Sequence, residues 1–490
     1  MAISTNLKKD IEEKLQKRPP IVVVLGHVDH GKTTLISQIY QEDLTRKEYG
    51  GISQHIGAYQ VSFQTSEGKV EKITFIDTPG HVAFSKMRSR GATVADLAVL
   101  VVAADEGVKP QTLESLKHIQ EAKIPFIVAI NKIDLPNIDL NWLKGNLAEN
   151  NILVEEWGGK IPAVSVSAKT GQGIKDLLEM IILLSEINEI KGNPQKELEA
   201  VIIESKLDPR RGPLATVLIR DGSLKKGEEI FAEEVKGKIK LMVDDKGKPI
   251  DFAGPSQPVE ILGFEEVPPV GARVTKTRKE EFSKEKKEFA SFLANEKEEK
   301  KIKIILKTDT QGTLEAILNS LPQEVEVVAS GTGEIGESDV LLAKTTGAEI
   351  IAFNIKISGK IKKLAEFEKV KISSYQIIYE FLEELEKKVL KILEPTIDEE
   401  ILGEAEILAE FLVKNQRVAG GRVKEGEIHK QFPIHLKRRG EIIGDGKIVS
   451  LKKGKEDVNK VIKGEEFGAI FEGIDFKIGD VIISFKKLPQ

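Results

Sequence analysis

Short, almost continuous apolar runs alternate with helical patterns near the start of the chain. The runs IVVVLG (21–26), LAVLVVAAD (97–105) and IPFIVAINKID (124–134) have the length and composition of parallel strands covered on both faces. PQTLESLKHIQEAK and GIKDLLEMIILLSEI place apolar residues at the three-to-four-residue spacing of helices. This alternation predicts an α/β doubly wound sheet within residues 20–190.

The hydrophobic pattern changes several times after residue 190. Short β-branched runs broken by turn signals such as RDGSLKKG and DDKGKP predict an antiparallel β-barrel, and the pattern from about residue 400 predicts a second one. SSYQIIYEFLEELEKKVLKIL (373–393) predicts one long amphipathic helix, which serves as a rigid spacer, a core-packed element or both. The predicted segments are a short N-terminal segment (1–19), the doubly wound domain (20–190), a first barrel (195–280), a charged linker (281–301), an α/β domain (302–370), the connecting helix (371–395) and a C-terminal barrel (396–490).

Composition narrows the class of protein. The 490 residues include no cysteine, which excludes disulfides and thiolate metal sites, and 31% of the residues are charged. No apolar run reaches the length of a membrane span, and the N-terminus has no apolar signal core, so we predict a cytoplasmic protein that contacts no membrane. The net charge is −5, yet residues 416–455 hold 11 Lys/Arg against 4 Asp/Glu, a local excess of 11 − 4 = +7. That excess predicts either an anionic partner or a solvated surface.

The segment GHVDHGKT, from Gly26 to Thr33, fits the phosphate-binding pattern G-x-x-x-x-G-K-[ST] between a strand and a helix. In this pattern, backbone N–H groups surround phosphate oxygens at a helix N-terminus. Lys32 is placed to reach the outer phosphates, and the Thr33 hydroxyl to bind Mg²⁺. The predicted loop consists of Gly26, His27, Val28, Asp29, His30, Gly31, Lys32 and Thr33.

Three further motifs follow later strands in the order expected of a GTP site. Asp77 can hold Mg²⁺, and the Gly80 N–H can face the terminal phosphate. The Asp134 carboxylate can accept hydrogen bonds from guanine, which selects GTP over ATP, while the Ala168 N–H is placed for the guanine carbonyl. The motifs comprise Asp77, Thr78, Pro79, Gly80 and His81, then Asn131, Lys132, Ile133 and Asp134, then Ser167, Ala168 and Lys169.

The Gly-rich stretch YGGISQHIGAYQ (49–60) has no helical period and lies between the phosphate loop and Asp77. GTPases keep at this place a switch segment that orders around the γ-phosphate and Mg²⁺. We therefore predict that Ser53 supplies the switch hydroxyl, so that the metal ligands are Thr33, Ser53 and Asp77.

GHVDHGKTTL, GGISQHIGAY, DTPGHVAFSKMRSRGA and NKIDLP together resemble the translational GTPases, and among them the bacterial translation initiation factor two family. GTGEIGESDVLLA and DVNKVIKGEEFG extend the resemblance over residues 20–490. It implies a GTPase with GTP/GDP and Mg²⁺ as cofactors; we further expect a monomer that does not bind DNA. Its implied partners are both ribosomal subunits and the initiator tRNA, which it places on the small subunit before the large subunit joins. GTP hydrolysis would then be the release step.

The same resemblance implies roles for individual residues. His81 is the implied catalytic residue that positions the attacking water, and Val28 and Ile52 form the implied hydrophobic gate. His27, His30 and His55 are expected to be scaffold residues. Slow hydrolysis is expected in the absence of the ribosome.

The C-terminal barrel departs from the family pattern. Gly421 stands where the family has Cys, Phe467 stands where it has a second Cys, and Lys453 and Gly454 replace its Arg-Tyr. These changes leave open whether the formylated methionine is recognised. The alternative function is a ribosome-associated assembly GTPase whose C-terminal half does not select initiator tRNA; an elongator-tRNA carrier is disfavoured by the third domain and the long helix. The candidate tRNA-binding residues are Gly421, Arg422, Lys437, Arg438, Arg439, Lys452, Lys453, Lys455, Glu466, Phe467 and Gly468.

Overall fold

A computed structural model describes residues 15–42, 53–278, 301–393, 399–413 and 416–487. The chain divides into two compact units, Met1–Glu383 and Glu384–Gln490. The first unit contains a doubly wound sheet, a β-barrel and a smaller α/β sheet, and the second contains another barrel. The fold class predicted from the sequence is confirmed, while the predicted domain limits stay predictions.

The N-terminal sheet has six strands, of which only the first is antiparallel to its neighbour. In spatial order they are Gly57–Gln64, Val70–Asp77, Ile21–Gly26, Leu97–Ala103, Phe126–Asn131 and Ala163–Ser165. The helices are Lys32–Tyr40, Ser85–Val94, Pro110–Ala122, Leu140–Glu149 and Ile174–Ile187, with 3₁₀ turns at Val82–Phe84 and Glu155–Trp157.

The central strands of this sheet are buried on both faces because helices cover both sides. Every residue of Ile21–Gly26 and of Leu97–Ala103 is buried. Leu35 and Ile36 of the first helix pack into the same core. Each buried aliphatic side chain contributes about 1.5–3 kcal/mol relative to leaving it exposed. The strand ends that carry the predicted motifs are therefore fixed by a well-packed core.

The first barrel is antiparallel and closes through pairing of Glu229–Ala232 with Val235–Val243. Its inward-facing residues form a separate core that includes Ile202, Val217 and Ile261. Two short strand pairs lie outside the barrels: Gln16–Lys17 with Lys191–Gly192, and Leu224–Lys225 with Phe252–Ala253. In spatial order, the strands of this sheet are Glu229–Ala232, Arg273–Thr275, Glu199–Asp208, Gly212–Asp221, Pro258–Phe264, Val235–Val243 and Pro249–Ile250. The last of these is a short strand that pairs with Val235–Val243.

Polar contacts fasten this barrel to the N-terminal sheet. The backbone N–H of Gln60 donates to Asp245 Oδ2 at 2.9 Å, and Gln60 Nε2 donates to the carbonyl of Ser256 at 3.1 Å. The guanidinium of Arg18 forms two bonds of 2.6 and 2.7 Å with the buried carboxylate of Asp96 and a third, at 3.0 Å, with Ser256 Oγ. The strand that follows the switch segment is thus held by the barrel.

The smaller α/β sheet is parallel throughout. Its strands, in spatial order, are Val325–Thr332, Ile302–Thr308, Glu349–Phe353 and Ile372–Tyr375, and its helices are Gln311–Ser320, Glu337–Thr346 and Gly359–Glu368. The helix predicted over 373–393 begins only at Ile378 and runs to Leu393. The residues before it were predicted wrongly, because Ile372–Tyr375 pairs in parallel with Ile350–Phe353 and completes the sheet.

The C-terminal unit is an antiparallel barrel that closes through pairing of Glu399–Val413 with Gln416–His429. Ile407, Leu436, Leu451 and Ile482 lie in its core. Its strands are Glu399–Val413, Val481–Lys487, Pro433–Arg438, Glu441–Lys453, Glu466–Glu472, Gln416–His429 and Lys460–Ile462 in spatial order, with Glu456–Asp457 paired to the fourth. Among the helices of the described residues, none is long and apolar enough to span a membrane.

Candidate nucleotide-binding site

The predicted phosphate loop lies between the buried strand Ile21–Gly26 and the helix Lys32–Tyr40. Gly31 precedes the helix with a φ of 85°, and a Cβ there would lie 2.4 Å from Asn131 Nδ2, so this position requires glycine. His30 is fully buried, and its Nδ1 lies 3.3 Å from the carbonyl oxygen of Val101. The scaffold role expected of His30 agrees with this position.

Three oxygen-bearing side chains converge at the start of this helix. Thr33 Oγ1 is hydrogen-bonded to Ser53 Oγ, and Ser53 Oγ lies 3.5 Å from Asp77 Oδ2. Asp77 Oδ1 is buried and has no hydrogen-bond partner among the described residues. One carboxylate and two hydroxyls suit Mg²⁺, which takes few protein ligands and keeps water and phosphate oxygens. The predicted metal ligands therefore come together, and an orphaned carboxylate oxygen fits the ion.

The charges in this pocket are strongly perturbed by burial. Burial lowers the pKa of Lys32 to about 8, and burial raises the pKa of Asp77 to about 6. The ammonium of Lys32 donates to the carbonyl oxygen of His27 within the loop. A buried cation beside a phosphate-binding backbone is ready to meet an anionic ligand.

The segment from Asp77 to His81 follows the adjacent strand and faces the phosphate loop. The Thr78 hydroxyl donates to the carbonyl of Val24 at 2.9 Å, which ties the segment to the central strand. At Gly80, a Cβ would lie 2.6 Å from Lys32 Nζ and 3.1 Å from the backbone nitrogen of Val28. No other residue type fits between the segment and the loop without a shift of these atoms.

His81 caps the 3₁₀ turn Val82–Phe84, and its Nδ1 accepts a hydrogen bond of 3.1 Å from the backbone of Ala83. Burial, assisted by the nearby charge of Arg88, lowers the pKa of His81 to about 4. The ring of Tyr379 lies edge-on to the imidazole, with the centroids 4.1 Å apart. His81 is therefore a neutral imidazole at neutral pH.

A cavity of about 190 Å³ joins these groups. It is lined by Val28, Asp29, Gly31, Lys32, Thr33, Thr34, Ser53, Gly80, His81, Phe84 and Tyr379. Thr34, Phe84 and Tyr379 were not among the site residues predicted from the sequence. Tyr379 lies almost three hundred residues after His81, so no local pattern announces it.

The described part of the switch segment is held by the smaller α/β sheet and the start of the long helix. Gln54 Nε2 donates to the carbonyl of Gln376 at 2.8 Å, and Gln54 Oε1 accepts from the backbone N–H of Ile378 at 3.2 Å. His55 Nε2 lies 3.3 Å from Asp309 Oδ2. Ile52, predicted as half of the hydrophobic gate, lies outside the described residues.

The remaining motifs meet beside the phosphate loop. Asn131 Nδ2 donates to the carbonyl of His30 at 2.9 Å, and its Oδ1 accepts from the Ala168 N–H at 2.9 Å. Asp134 is exposed and accepts a hydrogen bond of 2.7 Å from Ser167 Oγ. Lys132 pairs with Glu106 at 3.0 Å. Asn131 thus joins two of the motifs, while the Asp134 carboxylate faces solvent, where a base could reach it; Ile133 and Lys169 lie in the same two loops.

In the C-terminal barrel, some of the candidate tRNA-binding residues are cross-strand neighbours. Gly421 pairs with Phe467, Arg422 with Glu466, and Lys452 with Gly468. Phe467 is buried in the barrel core, and a Cβ on Gly421 would lie 2.6 Å from its ring. The Phe467 ring therefore fills the space beside Gly421 and does not line an open pocket.

Lys437, Arg438 and Arg439 lie beside the turn that joins the strands Pro433–Arg438 and Glu441–Lys453, far from Lys452 at the other end of the second strand. Lys437 pairs with Ile442 at the start of Glu441–Lys453, about 30 Å along the strand from Lys452. The structure thus separates Lys437, Arg438 and Arg439 from Lys452, Lys453 and Lys455. Acidic side chains pair with several of them: Arg438 with Asp480, Lys452 with Asp457 and Lys453 with Glu465.

Family models match most of the chain. The model described as the elongation factor Tu GTP binding domain matches residues 17–186, and elongation factor G domain 2 matches residues 197–277. The model described as translation-initiation factor 2 matches residues 275–386.

Relatives match the chain almost from end to end. Translation initiation factor IF-2 of Aquifex aeolicus is 46% identical over 494 residues, which cover 96% of this chain and 61% of the relative. Translation initiation factor IF-2 of Halothermothrix orenii is 44% identical over 508 residues, which cover 97% of this chain and 73% of the relative. The solved structure of GDP-bound aIF5B from Aeropyrum pernix is 28% identical, with a TM-score of 0.46, over 96% of this chain and 92% of that one.

The chain spans about three fifths of the length of the Aquifex relative. Its identity to the Halothermothrix relative, of which it covers nearly three quarters, is far above what unrelated chains share. The GTP-binding and initiation-factor models match in the order in which the sheets and barrels follow one another. The chain belongs to the translation initiation factor IF-2 family.

Proposed function

We propose that this protein is a GTP-dependent translation initiation factor that hydrolyses GTP to GDP and phosphate. The observation that carries the proposal is the convergence of Lys32, Thr33 and Ser53 on one cavity, with Gly80 and His81 on its wall. Asp77 lies behind Ser53, with its Oδ2 3.5 Å from Ser53 Oγ. Family membership supports the same activity. The nucleotide is GTP or GDP, held with Mg²⁺.

Each part of the site has a proposed role in nucleotide binding. The backbone of Gly26–Thr33 surrounds the phosphates, and Lys32 neutralises their charge. Asp134 accepts hydrogen bonds from guanine, and the Ala168 N–H meets the guanine carbonyl, with Asn131 holding the two loops together. On binding, Lys132 would leave its ion pair with Glu106 and lie along the plane of the base.

Hydrolysis in this proposal depends on positioning and on charge stabilisation. Thr33, Ser53 and Asp77 hold Mg²⁺, which neutralises charge on the phosphates. Gly80 senses the terminal phosphate, and the neutral His81 orients the attacking water. Val28 and Ile52 gate the access of His81. Hydrolysis is slow until a partner moves His81 out of its contact with Tyr379.

The proposed partners are the ribosome and initiator tRNA, met by a cytoplasmic monomer. The proposed RNA contacts of the C-terminal barrel are Arg422, Lys437, Arg439, Lys452, Lys453 and Lys455, with Glu466 and Gly468 on the adjoining strand. Lysine and arginine contacts to phosphates would make this affinity depend on salt. Gly421 and Phe467 would influence RNA binding only indirectly, through the packing of the strands beneath the surface, because the Phe467 ring is buried. We also propose that the domains have the limits predicted from the sequence.

The experiment that tests the function uses the full chain. GTP hydrolysis is measured alone, with small subunits, and with both ribosomal subunits, next to a His81→Ala variant. Hydrolysis that rises with both subunits, and that His81→Ala removes, supports the proposal. A wild-type chain that binds no guanine nucleotide, or that both subunits fail to stimulate, would contradict it.

The tRNA role has its own test. Binding of uncharged, methionylated and formyl-methionylated initiator tRNA is compared at one fixed salt concentration. A preference for the formylated form supports initiator selection, and equal binding of all three supports a basic RNA surface without selection. Absence of binding to any of them would overturn the tRNA role of the barrel.

A further inference from the structure

One charged side chain near the candidate site is fully buried and was given no role among the predicted site residues. Arg88 lies on the helix Ser85–Val94 with no exposed side-chain surface. Its Nη1 donates to the carbonyl of Pro79 at 2.9 Å and also to the carbonyl of His81. A buried guanidinium stays charged and is expensive to bury, so these two carbonyls and an acidic partner must hold it.

That acidic partner is Glu114, on the helix Pro110–Ala122. Arg88 Nη2 lies 2.7 Å from Glu114 Oε1. His118 Nε2 approaches the same oxygen at 3.4 Å, and the Ser85 hydroxyl lies 3.2 Å from His118 Nε2. Arg88 is therefore oriented from the far side, by a helix that is anchored in the sheet.

The two carbonyls lie on either side of Gly80. The Pro79–Gly80 peptide bond is trans, so its C=O and N–H groups point in opposite directions. A guanidinium that holds the Pro79 oxygen thereby turns the Gly80 N–H away from itself. The opposite side of Gly80 faces Lys32 and Val28, the wall of the candidate phosphate cavity.

The second carbonyl fixes the backbone of His81. The same Nη1 holds both oxygens, so the spacing of Pro79 and His81 across Gly80 is set by one rigid, planar group. A lysine ammonium at this position would keep the charge, but it lacks the fork that reaches two carbonyls and a carboxylate at once.

We propose that Arg88 is a positioning residue that aims the Gly80 N–H at the terminal phosphate, and that it thereby strengthens GTP binding relative to GDP binding. The proposal rests on the proposed function, because it needs a guanine nucleotide in the cavity. GDP lacks the γ-phosphate that Gly80 would meet, so its affinity is independent of this arrangement.

The test measures the affinity of the full chain for GTPγS and for GDP, by displacement of a fluorescent nucleotide with Mg²⁺ present. The variants are Arg88→Lys and Glu114→Gln, and the matched control is Arg90→Lys, on the same helix, whose partly exposed guanidinium pairs with Glu315. We expect Arg88→Lys to weaken GTPγS binding about tenfold, which corresponds to the loss of the charge-assisted hydrogen bond from the Gly80 N–H to the terminal phosphate. GDP binding should change less than about twofold. Glu114→Gln should act in the same direction to a smaller extent, and Arg90→Lys should change neither affinity.

The outcomes separate this proposal from the function on which it rests. A wild-type chain that binds neither nucleotide overturns the proposed function before any variant is compared. If the wild type binds both and Arg88→Lys leaves the ratio of the two affinities unchanged, only the positioning role is overturned. Should Arg88→Lys fail to fold in a thermal melt, Glu114→Gln decides the matter alone, because it keeps Arg88 and removes only the negative charge of its orienting partner.

Discussion

The ring of Tyr379 meets the ring of His81 edge-on, with 4.1 Å between the centroids. Tyr379 belongs to the first turn of the helix Ile378–Leu393, so the proposed catalytic residue is in contact with an element far along the chain. The contact removes water from one side of the imidazole. Tyr379 is therefore part of the burial that keeps His81 neutral.

The first prediction concerns this contact. Removal of the ring in Tyr379→Ala admits water and should raise the pKa of His81 from about 4 towards its ordinary value of 6.5. Tyr379→Phe keeps the ring and should leave the pKa low. The measurement is an NMR titration of protein labelled at histidine Cε1, and equal midpoints for the Ala variant and the wild type would contradict the prediction.

The sign of the associated stability change follows from the same pKa. An unfolded His81 binds a proton near pH 6.5, while the folded one does so only near pH 4. As the pH falls through this window, the unfolded state gains a proton that the folded state lacks, so the free energy of unfolding decreases. We expect this decrease to be smaller in Tyr379→Ala, as measured by urea unfolding at pH 7 and pH 5 and compared with the Phe variant.

A second prediction concerns Gln54, whose buried amide bonds both the carbonyl of Gln376 and the N–H of Ile378. Gln54→Ala leaves both backbone groups without these partners, at a cost of about 1–3 kcal/mol in the free energy of unfolding. Hydrogen exchange at the Ile378 amide should accelerate. Gln64→Ala is the control, since the exposed Gln64 side chain donates to the carbonyl of Gly68 at 3.3 Å, and its loss should cost less than about 0.5 kcal/mol. Equal effects of the two substitutions would count against the role given to Gln54.

The third prediction treats two departures from the family pattern, Gly421 and Phe467, as one coupled change. The Phe467 ring occupies the space that a side chain at 421 would need, and the two residues are cross-strand partners. Phe467→Ala should cost about 3–5 kcal/mol through a cavity, and Gly421→Ala about 1–3 kcal/mol through overpacking. The double variant should cost less than the sum of the two, because the smaller residue at 467 removes the contact with the ring and leaves only the one with the backbone oxygen of Glu406, at 2.9 Å. Additive costs in chemical unfolding would show that the two positions are independent.

A fourth prediction separates Arg438, which pairs with a buried carboxylate, from its neighbour Lys437, a proposed RNA contact. Arg438 forms bonds of 2.8 and 2.7 Å with the buried carboxylate of Asp480, whereas Arg439 occupies the turn with a positive φ. Arg438→Ala leaves the buried Asp480 carboxylate without its guanidinium partner and should lower the melting temperature by several degrees. Lys437→Ala should leave the melting temperature unchanged and reduce the salt dependence of tRNA binding. An unchanged melting temperature for Arg438→Ala would contradict this division.

The elements and motifs with strong local patterns were predictable from the sequence. The buried strand before Gly26 and the loop that ends at Thr33 follow from apolar runs, glycine positions and side-chain chemistry within a few residues. Ser53 was placed beside Thr33 and Asp77 by the order of the motifs along the chain, and the structure brings the three together.

Contacts between distant segments were beyond such reasoning. Gln54 and Arg88 lie in stretches that carry the family resemblance, yet no local pattern gives them or Tyr379 a role. Their contacts come only from partners that the tertiary fold supplies. The start of the long helix was predicted too early because helical spacing continues into Ile372–Tyr375, where pairing with a neighbouring strand prevails. Charge counting likewise united Lys437 and Lys452, which a single long strand keeps apart.

The hold of the first barrel on Gln60 has a mechanical consequence. Both the backbone and the side chain of Gln60 are fastened to barrel loops, through Asp245 and Ser256. If nucleotide exchange rearranges Ser53, the change therefore reaches a fixed residue, Gln60, within the strand Gly57–Gln64. We expect such a rearrangement to be limited at Gln60 and to be felt instead at Ile378, whose N–H donates to Gln54 Oε1. By fixing Gln60, the barrel would direct the effect of a change of ligand towards the long helix that begins at Ile378.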